Sequence, residues 1–379
     1  MGGGGRERRT FVAGRRLAVL AILAIAAWLL LRPEGKEASQ EKVPLGAPDI
    51  QPELSAWLAD WHWEAGLEDL DRSADGLDSL QVFAAYFDES DRLKFTEDFA
   101  EGFPNIRKRM DQAAGVRLDL TLVNDIIRED GSESQKDPEL TSRLLATEES
   151  RTRHIEEIAA AVEQYGFDGV ELDYEKVKAG DWDKLISLIE ELQKRLSELG
   201  KTLRVVLEPR APLEKIQLPE GPTYVMMAYN LYGSHSGPGP KADDTFIAKL
   251  ADRMERVPRP RHIALSAGGF DWTGVGDSRT ESESTGKPVK GITERTAADL
   301  AKRNPSKPVR DPDSGVLHFE YADDEGVPHA VWYADGETLE HWAAEAREGD
   351  IQGIAIWRLG ELGEDSTSRI ASGLGIKEE

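Results

Sequence analysis

From about residue 53 onward the chain switches repeatedly between two hydrophobic periods. Residues 54–63 and 80–87 read as strands, and 118–124 alternates before turning apolar and ending on Asn124-Asp125. Ile155, Ile158, Ala159 and Val162 then fall at helical spacing and lead straight into a second alternating run. There Val170, Leu172 and Tyr174 interleave with Glu171, Asp173 and Glu175. A longer amphipathic helix follows through Leu185, Leu188, Ile189, Leu192, Leu196 and Leu199, stopped by Gly200. Strands are predicted at 203–209, 223–230, 262–267 (ending in 268–272) and 353–360, with helices near 244–256 and 335–348. Residues 275–337 interrupt the rhythm with a short helix near 294–303 and two alternating segments around Asp323-Asp324-Glu325-Gly326, the pattern of a hairpin. Strand and helix alternating at this spacing predict parallel βα units, whose strands are buried on both faces.

The N-terminus breaks from this pattern. Arg-rich residues 6–16 precede an uninterrupted run of 15 apolar residues, 17–31. The run is short for a spanning helix and suits a signal segment, yet Leu29-Leu30-Leu31-Arg32-Pro33 is a poor cleavage site. The expectation is an uncleaved anchor with its Arg end cytoplasmic and the body exported; cleavage would make it secreted. Residues 33–52, with four prolines among charged residues, read as a linker. The chain therefore divides into 1–32, the basic stretch and anchor; 33–52, the linker; and 53–373, a barrel with 275–337 inserted.

Composition narrows the chemistry. A chain of 379 residues has room for one barrel domain plus extras. It has no cysteine, which excludes disulfides, thiolate metal sites and cysteine nucleophiles. The net charge is −24, but residues 1–32 carry six Arg against one Glu, leaving −29 for the rest. An acidic body argues against nucleic acid or an anionic membrane surface as ligand, and suits a neutral glycan or a saline habitat.

On a strand, Glu171, Asp173 and Glu175 share one face roughly 7 Å apart. An exposed acidic strand would carry them at little cost. If the strand is buried, repulsion makes one of them hold its proton near neutral pH, as a general acid requires. The segment Asp168-Gly169-x-Glu171-x-Asp173-x-Glu175 resembles the Asp-Gly-x-Asp-x-Asp-x-Glu signature of glycoside hydrolase family 18, the chitinase-type TIM barrels. Glu171 replaces the first inner Asp. Met227-Ala228-Tyr229-Asn230 is similar to the family's Met-x-Tyr-Asp strand end, with Asn230 where the family has Asp, and the detail of the last third is closest to its bacterial cell-wall and spore-peptidoglycan branch.

The resemblance implies an α/β TIM (β/α)8 barrel with a small α+β insertion between strands seven and eight. It implies Glu175 as acid/base, Asp173 as support for the substrate's acetamido group, Tyr229 as partner of that group's oxygen, and Trp357 as floor of the sugar subsite. Glu171, Met227, Asn230, Trp272, Tyr86 and Asn124 complete the candidate substrate-binding set. The expected substrate is an N-acetylglucosamine-containing polysaccharide, chitin-like or peptidoglycan, cut at β-1,4 linkages by a monomer that needs no cofactor or metal. The mechanism implied is substrate-assisted retention, in which the acetamido oxygen replaces an enzyme nucleophile. Two other classes stay open: a non-catalytic glycan-binding protein, against which the intact Glu175 argues, and an anchored envelope scaffold.

Overall fold

Eight parallel strands close on themselves: β1 (Glu53–Ala59), β2 (Ser79–Phe87), β3 (Arg117–Ile127), β4 (Gly169–Asp173), β5 (Thr202–Leu207), β6 (Thr223–Met227), β7 (Arg261–Ser266) and β8 (Gly353–Leu359). Each pairs with its neighbours in order, β2 pairs with β3, and β8 returns to β1, completing a TIM barrel. The computed structural model describes Met1 and residues 52–113, 115–275 and 288–376. The apolar run 17–31 and linker residues 33–51 lie outside the described residues. Among the described residues, no helix is long and apolar enough to cross a membrane.

Helices cover the outside wherever the sequence has a helical stripe. Glu148–Tyr165 buries Ile155, Ile158 and Val162, starts on a Thr147 capping box, and stops at Gly166 with φ 72°. Trp182–Glu198 buries Leu185, Leu188, Ile189, Leu192 and Leu196. Among the described residues no helix joins β5 to β6; that link contains Pro209, Pro212, Pro219 and Pro222, which cannot sustain a helical hydrogen-bond ladder.

The barrel interior is layered. At the N-terminal end of the strands, Arg204 reaches Glu53 at 3.2 Å and Glu171 at 2.9 Å, and Arg117 reaches Glu53 at 2.9 Å. Above this lies an apolar layer of Trp57, Phe83, Val123, Val206, Val225, Met227, Ala264 and Ala355, against which Tyr229 and Trp357 pack.

Two sequence expectations need correction. The strand expected over 54–63 ends at Ala59; Asp60–His62 forms a 3-10 turn and Trp63–Ser73 a helix. Period-two spacing runs on through Trp61 and Trp63, but Asp60 accepts bonds from the Trp61 amide (2.9 Å), Tyr86 (2.7 Å) and Thr96 (2.5 Å), which pin the chain into a turn. The insertion begins at Gly268 rather than 275. Residues Gly268–Thr273 are not the end of the seventh barrel strand; they pair with Val289–Ile292 and Pro328–Ala334 in a separate five-stranded antiparallel sheet. Gly268 makes the switch with φ 64°, where a Cβ would also meet the Ile292 carbonyl oxygen at 2.5 Å.

Candidate active site

Asp173 is the last residue of β4 and Glu175 follows two positions later, both at the C-terminal mouth of the barrel. Between them Tyr174 turns outward and is buried, its hydroxyl 2.6 Å from His154 Nε2. Asn124, near the end of β3, extends the sheet past the strand itself. Its Oδ1 accepts from the Glu175 amide at 3.0 Å, and its Nδ2 donates to the Glu175 carbonyl at 2.9 Å. Asn124 is fully buried and also bonds Thr141, so it holds the backbone of Glu175 and does not line the cavity.

That cavity, about 490 Å³, is lined by Asp173, Glu175, Tyr229, Asn230, Tyr86 and Trp357, together with Asp60, Trp61, Phe83, Asp125 and Lys136. Trp357 forms one wall, edge-on to Phe83 at 5.2 Å and Trp57 at 5.8 Å. The Lys136 ammonium contacts Glu175 Oε1. Its loop is shaped by Asp125, whose Oδ1 accepts from the Lys136 amide at 2.7 Å.

The three carboxylates of the acidic strand sit in different surroundings. Burial, opposed by Lys136 and reinforced by Glu171 and Asp125, raises the Asp173 carboxyl to about 7. Its Oδ1 has no hydrogen-bond partner among the described residues. Glu171 sits one layer deeper, fully buried and away from the cavity. It accepts from Trp57 Nε1 at 2.5 Å, Thr121 at 2.9 Å and Arg204 at 2.9 Å. Burial, and then the charges of Asp173 and Glu171, push the Tyr229 phenol well above its ordinary range.

Two other candidates also fall outside the cavity. Met227 belongs to the apolar layer beneath it. Trp272 is buried in the insertion sheet against Val275 and Ala330, because its strand leaves the barrel. Sequence reasoning passed over Asp60 and Trp61 because the strand spacing runs on to Trp63; a strand ended at Ala59 puts both just past a strand C-terminus, where the sites of such barrels lie. Lys136 carries no such signal, since only the fold of its loop brings it to Glu175.

A second cavity of about 330 Å³ adjoins the first, sharing Tyr229, Asn230 and Trp357, and lies between the barrel mouth and the insertion. Among the described residues, no group of three or more His, Asp or Glu is placed to hold a metal ion.

Comparison with known proteins completes the picture. The profile of Glycosyl hydrolases family 18 matches residues 133–361, more than half of the chain. The chain belongs to that family. Among curated relatives of this family 18 chain, the cortical fragment-lytic enzyme of Bacillus anthracis is 26% identical over 241 residues, 59% of this chain and 53% of the relative. The chain thus spans about half the length of that relative. The Bacillus cereus spore cortex-lytic enzyme SleL superposes with a TM-score of 0.69 at 20% identity, covering 86% of this chain and 74% of the other. A class V chitinase from Nicotiana tobaccum, crystallised in complex with NAG4, gives 0.67 at 16% identity, covering 86% and 99%. At these identities the two structures establish a shared fold.

Proposed function

We propose that this family 18 chain is a glycosidase that cleaves β-1,4 linkages of N-acetylglucosamine-containing glycans, chitin-like or peptidoglycan, by substrate-assisted retention. The observation that carries the reading is the grouping of Asp173, Glu175, Tyr229 and Trp357 around one cavity at the strand C-termini. In this reading Glu175 protonates the glycosidic oxygen after the sugar displaces the Lys136 ammonium. The substrate's acetamido oxygen attacks the anomeric carbon, forming the C–O bond as the glycosidic bond breaks and giving an oxazolinium ion. Asp173 receives the acetamido N–H, Tyr229 holds the acetamido oxygen, and Glu175 then deprotonates the water that opens the ring. Asp60 and Asp125 are poor nucleophiles here, because the protein's own donors already occupy them. The complex of the tobacco chitinase with NAG4 and the names of the cortex-lytic relatives support both substrate classes.

The test pairs substrate with variant. β-1,4-linked N-acetylglucosamine oligomers should be cut with retention, and glucosamine oligomers of equal length should not be, having no acyl oxygen. Glu175→Gln should lower turnover by about 10²–10⁴-fold with saccharide affinity kept. Rapid cleavage of the deacetylated chain, or an inverted first product by NMR, would overturn the mechanism. Binding with no turnover in the unaltered protein would instead favour a lectin.

A further inference from the structure

The two cavities that meet at Tyr229, Asn230 and Trp357 differ in sign. Among the described residues, the first is lined by Asp60, Asp98, Asp125, Glu133, Asp173 and Glu175 against the single cation Lys136. The second is lined by Lys241 and Arg358, with Glu294 its sole acid among the described residues. Glu294 is already engaged, accepting from Ser366 Oγ at 2.6 Å, and burial raises its carboxyl to about 7.

Neither cation of the second cavity has a carboxylate within ion-pair distance among the described residues. Lys241 Nζ donates to Ser266 Oγ at 2.8 Å and to the Ala267 carbonyl at 3.2 Å, which leaves one of its three N–H bonds uncommitted. Its flank is the Phe270 ring, 5.2 Å away. Arg358 donates through one nitrogen to His62 Nδ1 at 2.9 Å and lies over the Trp61 ring at 5.6 Å. Desolvation and the Arg358 charge together lower the Lys241 ammonium to about 7. Two desolvated cations in one cavity repel each other, whereas the buried Arg204 of the barrel interior has Glu53 and Glu171 as partners.

We infer that the Lys241–Arg358 cavity is a subsite for a carboxylate borne by the sugar next to the one held at Trp357. The chain then discriminates between glycans in which an acid-bearing N-acetylated sugar occupies that place and wholly neutral ones. The assignment rests on the glycosidase reading of the three shared residues. A carboxylate at Lys241 completes the ammonium's third bond and restores its full charge, while the acidic first cavity keeps a second acid from entering the wrong side.

The full chain carrying Glu175→Gln, whose slowed turnover should let binding be measured by itself, is titrated calorimetrically with three probes. These are the alternating N-acetylglucosamine–N-acetylmuramic acid tetrasaccharide, its carboxyl methyl ester, and the N-acetylglucosamine tetramer. The acid should bind about tenfold or more tightly than the ester, the span of a hydrogen bond to a charged group. Adding Lys241→Met should bring acid and ester within about twofold of each other, with the ester's affinity, which also reports correct folding, unchanged. Lys241→Arg should keep most of the preference. Equal affinity for acid and ester before Lys241 is altered, or a preference that survives Lys241→Met, overturns the inference while leaving the glycosidase reading intact if the neutral tetramer is bound, and cut by the unaltered chain. Failure to bind any of the three overturns both.

Discussion

A carboxyl raised to about 7, as Asp173 is, keeps its proton in the folded protein while the unfolded chain has already lost it. Below about pH 4 both states are protonated and the group is neutral toward folding. Between there and about 7 the folded state binds more protons, so this group's contribution to stability falls as pH rises. Asp173→Asn, which does not titrate, should therefore gain melting temperature over the unaltered protein as pH goes from 4 to 8. Each kcal/mol corresponds to roughly 1–2 °C in a barrel of this length. A gap between the two proteins that is the same at both pH values would mean Asp173 ionises normally. Asn124 offers a second residue-level test. Asn124→Ala removes both side-chain bonds to the Glu175 backbone and strands those groups in a buried region, costing about 1–3 kcal/mol. Turnover should fall more than saccharide affinity, because the acid loses its mount; equal losses would make Asn124 a core residue only.

At the scale of elements, the alternation of Val170, Leu172 and Tyr174 with the three carboxylates marks β4 and its facing, and Leu185 to Leu196 marks the next helix. Depth is what alternation cannot convey. Glu171 and Asp173 share a face, yet a step of two residues along a barrel strand moves one side chain from the cavity into the packed interior, where Arg204, 33 positions on, receives it. Trp272 misleads for a related reason, since strand-like spacing continues through Gly268 while the chain changes sheets. That switch can be probed: Gly268→Ala places a Cβ at positive φ and against the Ile292 carbonyl, costing about 1–3 kcal/mol. The loss should appear as a lower melting temperature with faster proteolysis between residues 268 and 334. An unaltered melting temperature would show that the insertion tolerates another entry.

For the whole molecule, the proposed anchor at 17–31 predicts that the protein is exported and stays with the membrane fraction; a mature N-terminus near residue 33–40 by mass analysis would make it secreted instead. The barrel also depends on a late event. β1 and β8 are paired over a long separation, with Ser55 bonded to the Ile354 carbonyl 299 positions away. Glu175, Asp60 and Trp61 all precede the last strand, but Trp357, which lines the same cavity, arrives with it. Any chain interrupted before Gly353 lacks the Trp357 wall of the cavity, and leaves β1 and β7 as open edges that favour self-association. The protein is thus latent throughout its own synthesis: the proposed glycosidase chemistry becomes possible only when the first and last strands have met.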